Sequence, residues 1–153
     1  MAKTLHDLVA YTRALDLIVD VYAVTASFPK DERFGLVAQL RRSAVGIAAQ
    51  IAEGEGRLTN GERRQFLSQA RGSLFEVEAE AEVASRLGFL SAADAQRISS
   101  GIKKTGKALI GFIHWVQKQE RKTKSQRNPA TAQPRNSETP PQPRRNQVTE
   151  APQ

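Results

Sequence analysis

Residues 36 to 89 read LVAQLRRSAVGIAAQIAEGEGRLTNGERRQFLSQARGSLFEVEAEAEVASRLGF. On either side of the glycine-punctuated turn Glu53-Gly54-Glu55-Gly56-Arg57, apolar residues recur by threes and fours. Before it run Val37, Leu40, Ala44, Ile47 and Ile51; after it run Leu67, Ala70, Leu74, Val77, Ala81 and Ala84. That spacing returns to one face of a helix at every turn and does not fit the two-residue alternation of a strand. The segment is predicted to be a helical hairpin, and it contains no recognisable catalytic group. A chain of this kind is built to bind or to assemble.

Two further helices flank the hairpin. The first is expected from about Leu5 to Ala26, ended by Pro29, which cannot continue the hydrogen-bond ladder. It carries two interlaced seams: Leu8, Tyr11, Leu15, Ile18, Tyr22 and Thr25, and Ala10, Ala14, Leu17, Val21, Val24 and Phe28. Their combined arc is too wide for one helix–helix contact. Such a helix sits deep in a bundle or buries its second side against another subunit. On the latter reading Leu17, Val21 and Val24 are the candidate oligomer interface, and Leu17→Glu or Val21→Glu would leave a helical monomer.

The second helix is expected to start near Asp31 or Phe34 and to stop at Gly54, in the left-handed conformation that glycine tolerates. Its small flanking residues, Ser43, Gly46, Ala48, Ala49 and Ala52, suit tight packing within the chain. Thr59 and Glu62 form a capping-box pattern for the third helix, and Leu87-Gly88-Phe89 reads as its glycine stop. Ser91 caps the fourth, whose seam runs through Ala95, Ile98, Ile102, Thr105, Leu109, Phe112 and Val116 and which should fray near Lys118 to Lys124. The expected fold is all-α: an antiparallel up-down-up-down four-helix bundle over 1–120, with short connections. Residues 121–153 hold six of the seven prolines and almost no large aliphatic residue, so they are expected to form a disordered basic tail.

No cysteine is present, which excludes thiolate metal sites and disulfides and fits a reducing cytoplasm. The N-terminus lacks a signal-peptide layout and no apolar run is long enough to span a membrane, so a soluble, cytoplasmic protein is expected. The net charge of +7 divides into +2 over residues 1–117 and +5 over 118–153, which assigns most of the basic bias to the tail. Basic surfaces of this sort attract polyanions through a salt-sensitive term, and they also serve merely to keep a chain in solution.

Within the helices, Arg97, Lys104, Lys107, His114, Lys118 and Arg121 fall on one outward stripe of the fourth helix, free of carboxylates. Cations repeated along a surface are what a phosphate backbone requires, although an ordinary solvated face looks similar. Arg57, Arg63, Arg64 and Arg71 gather at the turn and at the start of the third helix, where cations oppose the helix dipole. Arg41 or Arg42 is expected to pair with Glu76 or Glu78 across the hairpin. Glu53 and Glu55 lie in a wet turn, which does not suit acid–base catalysis. His6 and His114 show no metal-ligand spacing. His114-Trp115 could stack on bases, but a Trp at the end of a bundle is more often packing. No catalytic residue, cofactor site or metal site is expected.

Several short motifs carry a resemblance. They are Phe28-Pro29-Lys30-Asp31-Glu32-Arg33-Phe34-Gly35-Leu36, Gln39-Leu40-Arg41-Arg42-Ser43-Ala44, Ile51-Ala52-Glu53-Gly54, Phe66-Leu67, Gly72-Ser73-Leu74 with Glu76, and Leu87-Gly88-Phe89-Leu90, with Arg57 and Glu62. Together, over about residues 4 to 117, the chain resembles the bacterial four-helix-bundle proteins encoded in intervening sequences of large-subunit ribosomal RNA. The accessory variability-determinant proteins of diversity-generating retroelements are related to that family. The resemblance implies a homo-oligomer, a pentamer, with a basic surface, and nucleic acid or a reverse transcriptase as partner. Two features depart from the pattern: Gly46-Ile47-Ala48-Ala49-Gln50 stands where the family often has Ser-Ile-Pro-x-Asn, and the tail is not a family feature. The expected function is non-enzymatic binding of RNA or DNA. The alternative is a protein-interaction scaffold, such as an accessory subunit of a retroelement reverse transcriptase.

Overall fold

A computed structural model of the chain describes residues 8–127. Four helices fill it: α1 Val9–Thr25, α2 Leu36–Glu55, α3 Asn60–Arg86 and α4 Ala92–Arg127. Each packs on the next in sequence and α4 closes onto α1, giving the antiparallel four-helix bundle. The predicted seams meet along its axis. Leu17, Leu40, Ile47, Ile51, Leu67, Val77, Leu109 and Val116 are all buried.

The helix ends show why the chain breaks where it does. Glu32, in a short 3-10 turn at Lys30–Glu32, reaches forward, and its Oε2 accepts the Leu36 amide at 3.0 Å. A carboxylate there satisfies a free N–H and suits the positive end of the helix dipole. Thr59 accepts the Glu62 amide at 3.2 Å and its hydroxyl donates to Glu62 Oε2 at 2.7 Å. Gly88, at φ +75°, closes α3: the Phe89 amide reaches back to the Ala84 carbonyl at 2.9 Å. Phe89 then packs on Phe28 with ring centroids 5.6 Å apart. Ser91 caps α4 through the Asp94 amide at 3.0 Å.

Three expectations are corrected. Gly54 does not stop α2. It is buried inside the helix, where a Cβ would stand 3.2 Å from Phe66 Cβ and 3.3 Å from the Arg63 carbonyl oxygen, so it lets α3 approach. α4 does not fray at 118–124 but continues to Arg127. Glu120 holds its extension, paired with Lys124 one turn on at 3.0 Å and with Arg64 of α3 at 3.6 Å. The tail expected at 121–153 therefore begins as helix, and residues 128–153, like 1–7, lie outside the described residues.

The third correction concerns the second seam of α1. Leu17, Val21 and Val24 are 0%, 1% and 5% exposed within a single chain. They face α4 and the core, so they are not a subunit interface. Gly101 of α4 makes room for Leu17: a Cβ there would stand 2.9 Å from Leu17 Cδ1. Thr105, fully buried, donates to the Arg13 carbonyl at 3.1 Å and locks the same pair of helices. The outward seam is the other one. Leu15 and Ile18 are half-buried and Tyr22 is exposed, with Val19 beside them and Val45 of α2 also exposed.

Candidate nucleic-acid interface

α4 carries nine Lys or Arg and only two carboxylates, Asp94 and Glu120. Core packing of Ile98, Ile102, Thr105, Leu109 and Val116 fixes which way the rest of the helix faces. Lys104, Lys107, His114, Lys118 and Arg121 emerge as one exposed line on its outer side. Glu120 is held by Arg64 and Lys124 with 19% of its side chain exposed. The lysine hydrogen bond, reinforced by Lys124 and Arg64 charge, keeps the Glu120 carboxyl below the usual glutamate range. It stays an anion and gathers cations around itself.

Arg97, in the same hollow as Lys104, Asp16 and Asp20, is already engaged. Its guanidinium grips Asp20 of α1 at 2.6 and 2.7 Å, so it ties α4 to α1.

The α3 cluster divides in two. Arg57 is ion-paired with Glu53 and lies over the Phe66 ring at 4.5 Å. Arg63 meets Glu55 at 3.0 Å, with both side chains mostly buried. These two answer the reversed charge at the start of α3, and the carboxylates of Glu53 and Glu55 are their partners. Arg64 and Arg71 instead face the α4 side. With Gln65, Ser68, Ile113 and Gln117 they line an open groove of about 460 Å³ between α3 and α4. An adjoining hollow is lined by Arg64, Gln117, Glu120, Arg121 and Lys124.

The structure thus joins two clusters that are separate in sequence. Arg64 and Arg71 line the groove with Ile113 and Gln117 of α4, and Arg64 shares the adjoining hollow with Arg121 and Lys124. It also adds residues that sequence reasoning missed: Lys124 and Gln117 in the groove, and Lys103 and Lys122 exposed nearby. The missed signal was the continuation of helix past Lys118. Of the +5 charge assigned to residues 118–153, +4 lies in 118–127, which holds five cations and one carboxylate. Most of that charge is therefore on a helix.

Arg41 does not pair with Glu76 or Glu78. It turns to α1, where Nε donates to Thr25 Oγ1 at 2.9 Å and the guanidinium covers the Tyr22 ring at 4.4 Å. Ser43 meets the α3 carboxylates instead, 3.3 Å from both Glu76 Oε2 and Glu80 Oε1. One hydroxyl proton serves only one of them at a time. Burial, with the Glu76 charge nearby, raises the Glu80 carboxyl above the usual range despite the Ser43 hydrogen bond and the charge of Arg42. Trp115 stays half-exposed against Phe112, with centroids 6.1 Å apart. Among the described residues, no group of three or more His, Asp or Glu could hold a metal, and no helix is long and apolar enough to cross a membrane.

The model of the 23S rRNA-intervening sequence protein family matches residues 6–111. The fold is also similar to a 1.70 Å crystal structure from Bacteroides thetaiotaomicron VPI-5482, a protein of unknown function from the S23 ribosomal protein family. The two agree with a TM-score of 0.64 at 21% identity, over 69% of this chain and 96% of that one. No curated protein matches the chain. The cations from His114 to Arg127 lie beyond the matched segment.

Proposed function

The chain belongs to the 23S rRNA-intervening sequence protein family, and from that premise we propose that it is a non-enzymatic, homo-oligomeric protein that binds RNA or DNA through α3 and α4. The observation that carries this reading is the exposed cation line of α4, with Arg64 and Arg71 of α3 in the groove beside its C-terminal half. A polyanion gains affinity on such a surface by releasing condensed counterions, with no need for a deep cavity. Copies arranged in a ring multiply weak contacts through effective concentration. The face formed by Leu15, Ile18, Val19 and Tyr22 of α1 with Val45 of α2 supports self-assembly. It is outward-facing, with the Arg41 guanidinium over the Tyr22 ring, and exposed apolar side chains mark contact surfaces.

The test is binding of fluorescent structured RNA and of single-stranded DNA to the full chain across a salt series. The expected result is binding with a steep salt slope, lost in the triple variant Lys104→Glu, Lys107→Glu, Lys118→Glu. Failure of the unaltered chain to bind either probe at low salt sinks the reading. The same apolar face favours a second reading, a scaffold that docks another protein such as a retroelement reverse transcriptase. A chain that stays monomeric and binds no nucleic acid would move the case to that scaffold.

A further inference from the structure

Glycine inside a helix costs stability relative to alanine, so each one calls for a reason. Gly46, Gly54, Gly101 and Gly106 have one in the packing of the bundle. A Cβ at these positions would lie 3.2, 3.2, 2.9 and 3.3 Å from Ser73, Phe66, Leu17 and Leu74 respectively. Gly61, Gly72 and Gly111 have none, since nothing lies within 4 Å of where a Cβ would stand; Gly61 is in the first turn of α3, whereas Gly72 and Gly111 are exposed in helix interiors. Gly72 is on a stretch of α3 whose exposed neighbours are Ser68, Gln69, Arg71, Phe75 and Glu76, a mixed surface rather than a line of cations. Gly111 sits in the cation line of α4, one turn beyond Lys107, three residues before His114, and two turns from both Lys104 and Lys118.

We infer that Gly111 is the point at which a nucleic-acid sugar–phosphate backbone lies directly against α4. The inference rests on the proposed function and deepens it. Lysine side chains are long and arch outward, so a strand bound to them alone would ride clear of the helix. A position without a side chain lets the strand settle onto the helix surface, where Lys107 and Lys118 on either side reach phosphates together. The Gly111 amide is in the interior of a helix and already committed to its own ladder, so the contact is one of shape and packing. Sequence plays no part in such a contact, and phosphate contacts set position without reading bases.

The test uses the full chain with four variants: Gly111→Ala, Gly111→Leu, Ala38→Leu on the exposed face of α2 as control, and the triple lysine-to-glutamate variant. Probes are a duplex RNA, a single-stranded RNA and a single-stranded DNA, each over a salt series. Thermal melting checks folding. Alanine and leucine are good helix formers, so both Gly111 variants should melt at or above the temperature of the unaltered chain, and Ala38→Leu close to it. Gly111→Leu is expected to bind at least about tenfold more weakly and to lose about two units of salt slope, as the flanking lysines lift off their phosphates. Gly111→Ala should fall between, and Ala38→Leu should bind as the unaltered chain does. Full binding with unchanged slope by Gly111→Leu overturns the inference. If the triple variant then still loses binding, the α4 reading survives and only the role of Gly111 falls. If the triple variant binds normally, both fall. A defect confined to the RNA probes would assign the surface to RNA, and one shared by all three would assign it to any strand.

Discussion

Single side chains divide into those that hold the bundle and those left for a partner. Leu17 shows the first kind. Glutamate there would put an unpaired charge among Gly101, Val21 and the rest of the core, a change that costs about 4 kcal/mol or more. Leu17→Glu is therefore expected to abolish the cooperative thermal transition rather than leave a helical monomer; circular dichroism distinguishes the two. Glu80 shows a subtler strain. Its Oε2 is buried without a hydrogen-bond partner, and Glu76 stands beside the same hydroxyl. A carboxyl whose folded pKa is raised favours the fold most below the unfolded value, and that contribution is lost as pH rises through the folded value. Glu80→Gln, which imitates the protonated state, should raise the melting temperature at pH 8 and change it little at pH 4. An equal effect at both pH values would remove burial of charge as the cause. Neither the seam that faces inward nor the carboxyl that is crowded can be read from spacing alone. Both seams of α1 have the same periodicity, and Glu76, Glu78, Glu80 and Glu82 look alike in the sequence.

Helix boundaries set by local hydrogen bonding were more legible than those set by tertiary contacts. Thr59, Ser91 and Gly88 act as their sequence context predicts, because capping is a local hydrogen-bond problem. Thr59→Ala should lower stability by about 1 kcal/mol, read from denaturant or thermal melts. Gly54 misled because its role is tertiary: the same residue type that ends helices also allows two helices to touch. The end of α4 misled for the opposite reason. Its last large buried residue is Val116, so the apolar rhythm stops there, while Glu120 carries the helix onward by pairing with Lys124 and Arg64. A chain ending at residue 127 is expected to bind nucleic acid like the full chain. One ending at 118 should keep its core and melt cooperatively, yet lose about 0.9 unit of salt slope for each phosphate contact made by Arg121, Lys122, Lys124 or Arg127. Equal binding by the two shortened chains would take these last turns out of the interface.

At the scale of the molecule, cations gather around the groove where α3 meets the C-terminal half of α4, while Val19 and Tyr22 of α1 and Val45 of α2 stand exposed on the other pair of helices. Val19→Glu changes a residue that is 64% exposed and leaves the core intact, so it should preserve folding while reducing the sedimentation coefficient of any assembly. An unchanged coefficient would place self-association elsewhere. The sequence by itself determined the four helices, the caps at Thr59, Gly88 and Ser91, the antiparallel order and the presence of a basic stripe. These follow from local backbone preferences and from apolar periodicity, which are properties of neighbours along the chain. Only the tertiary structure decided which seam of α1 is core, which arginines are already paired, and that Arg64 and Arg71 share a surface with the end of α4. Those depend on residues far apart in sequence, whose contacts are settled by how the helices rotate and approach to bury the core.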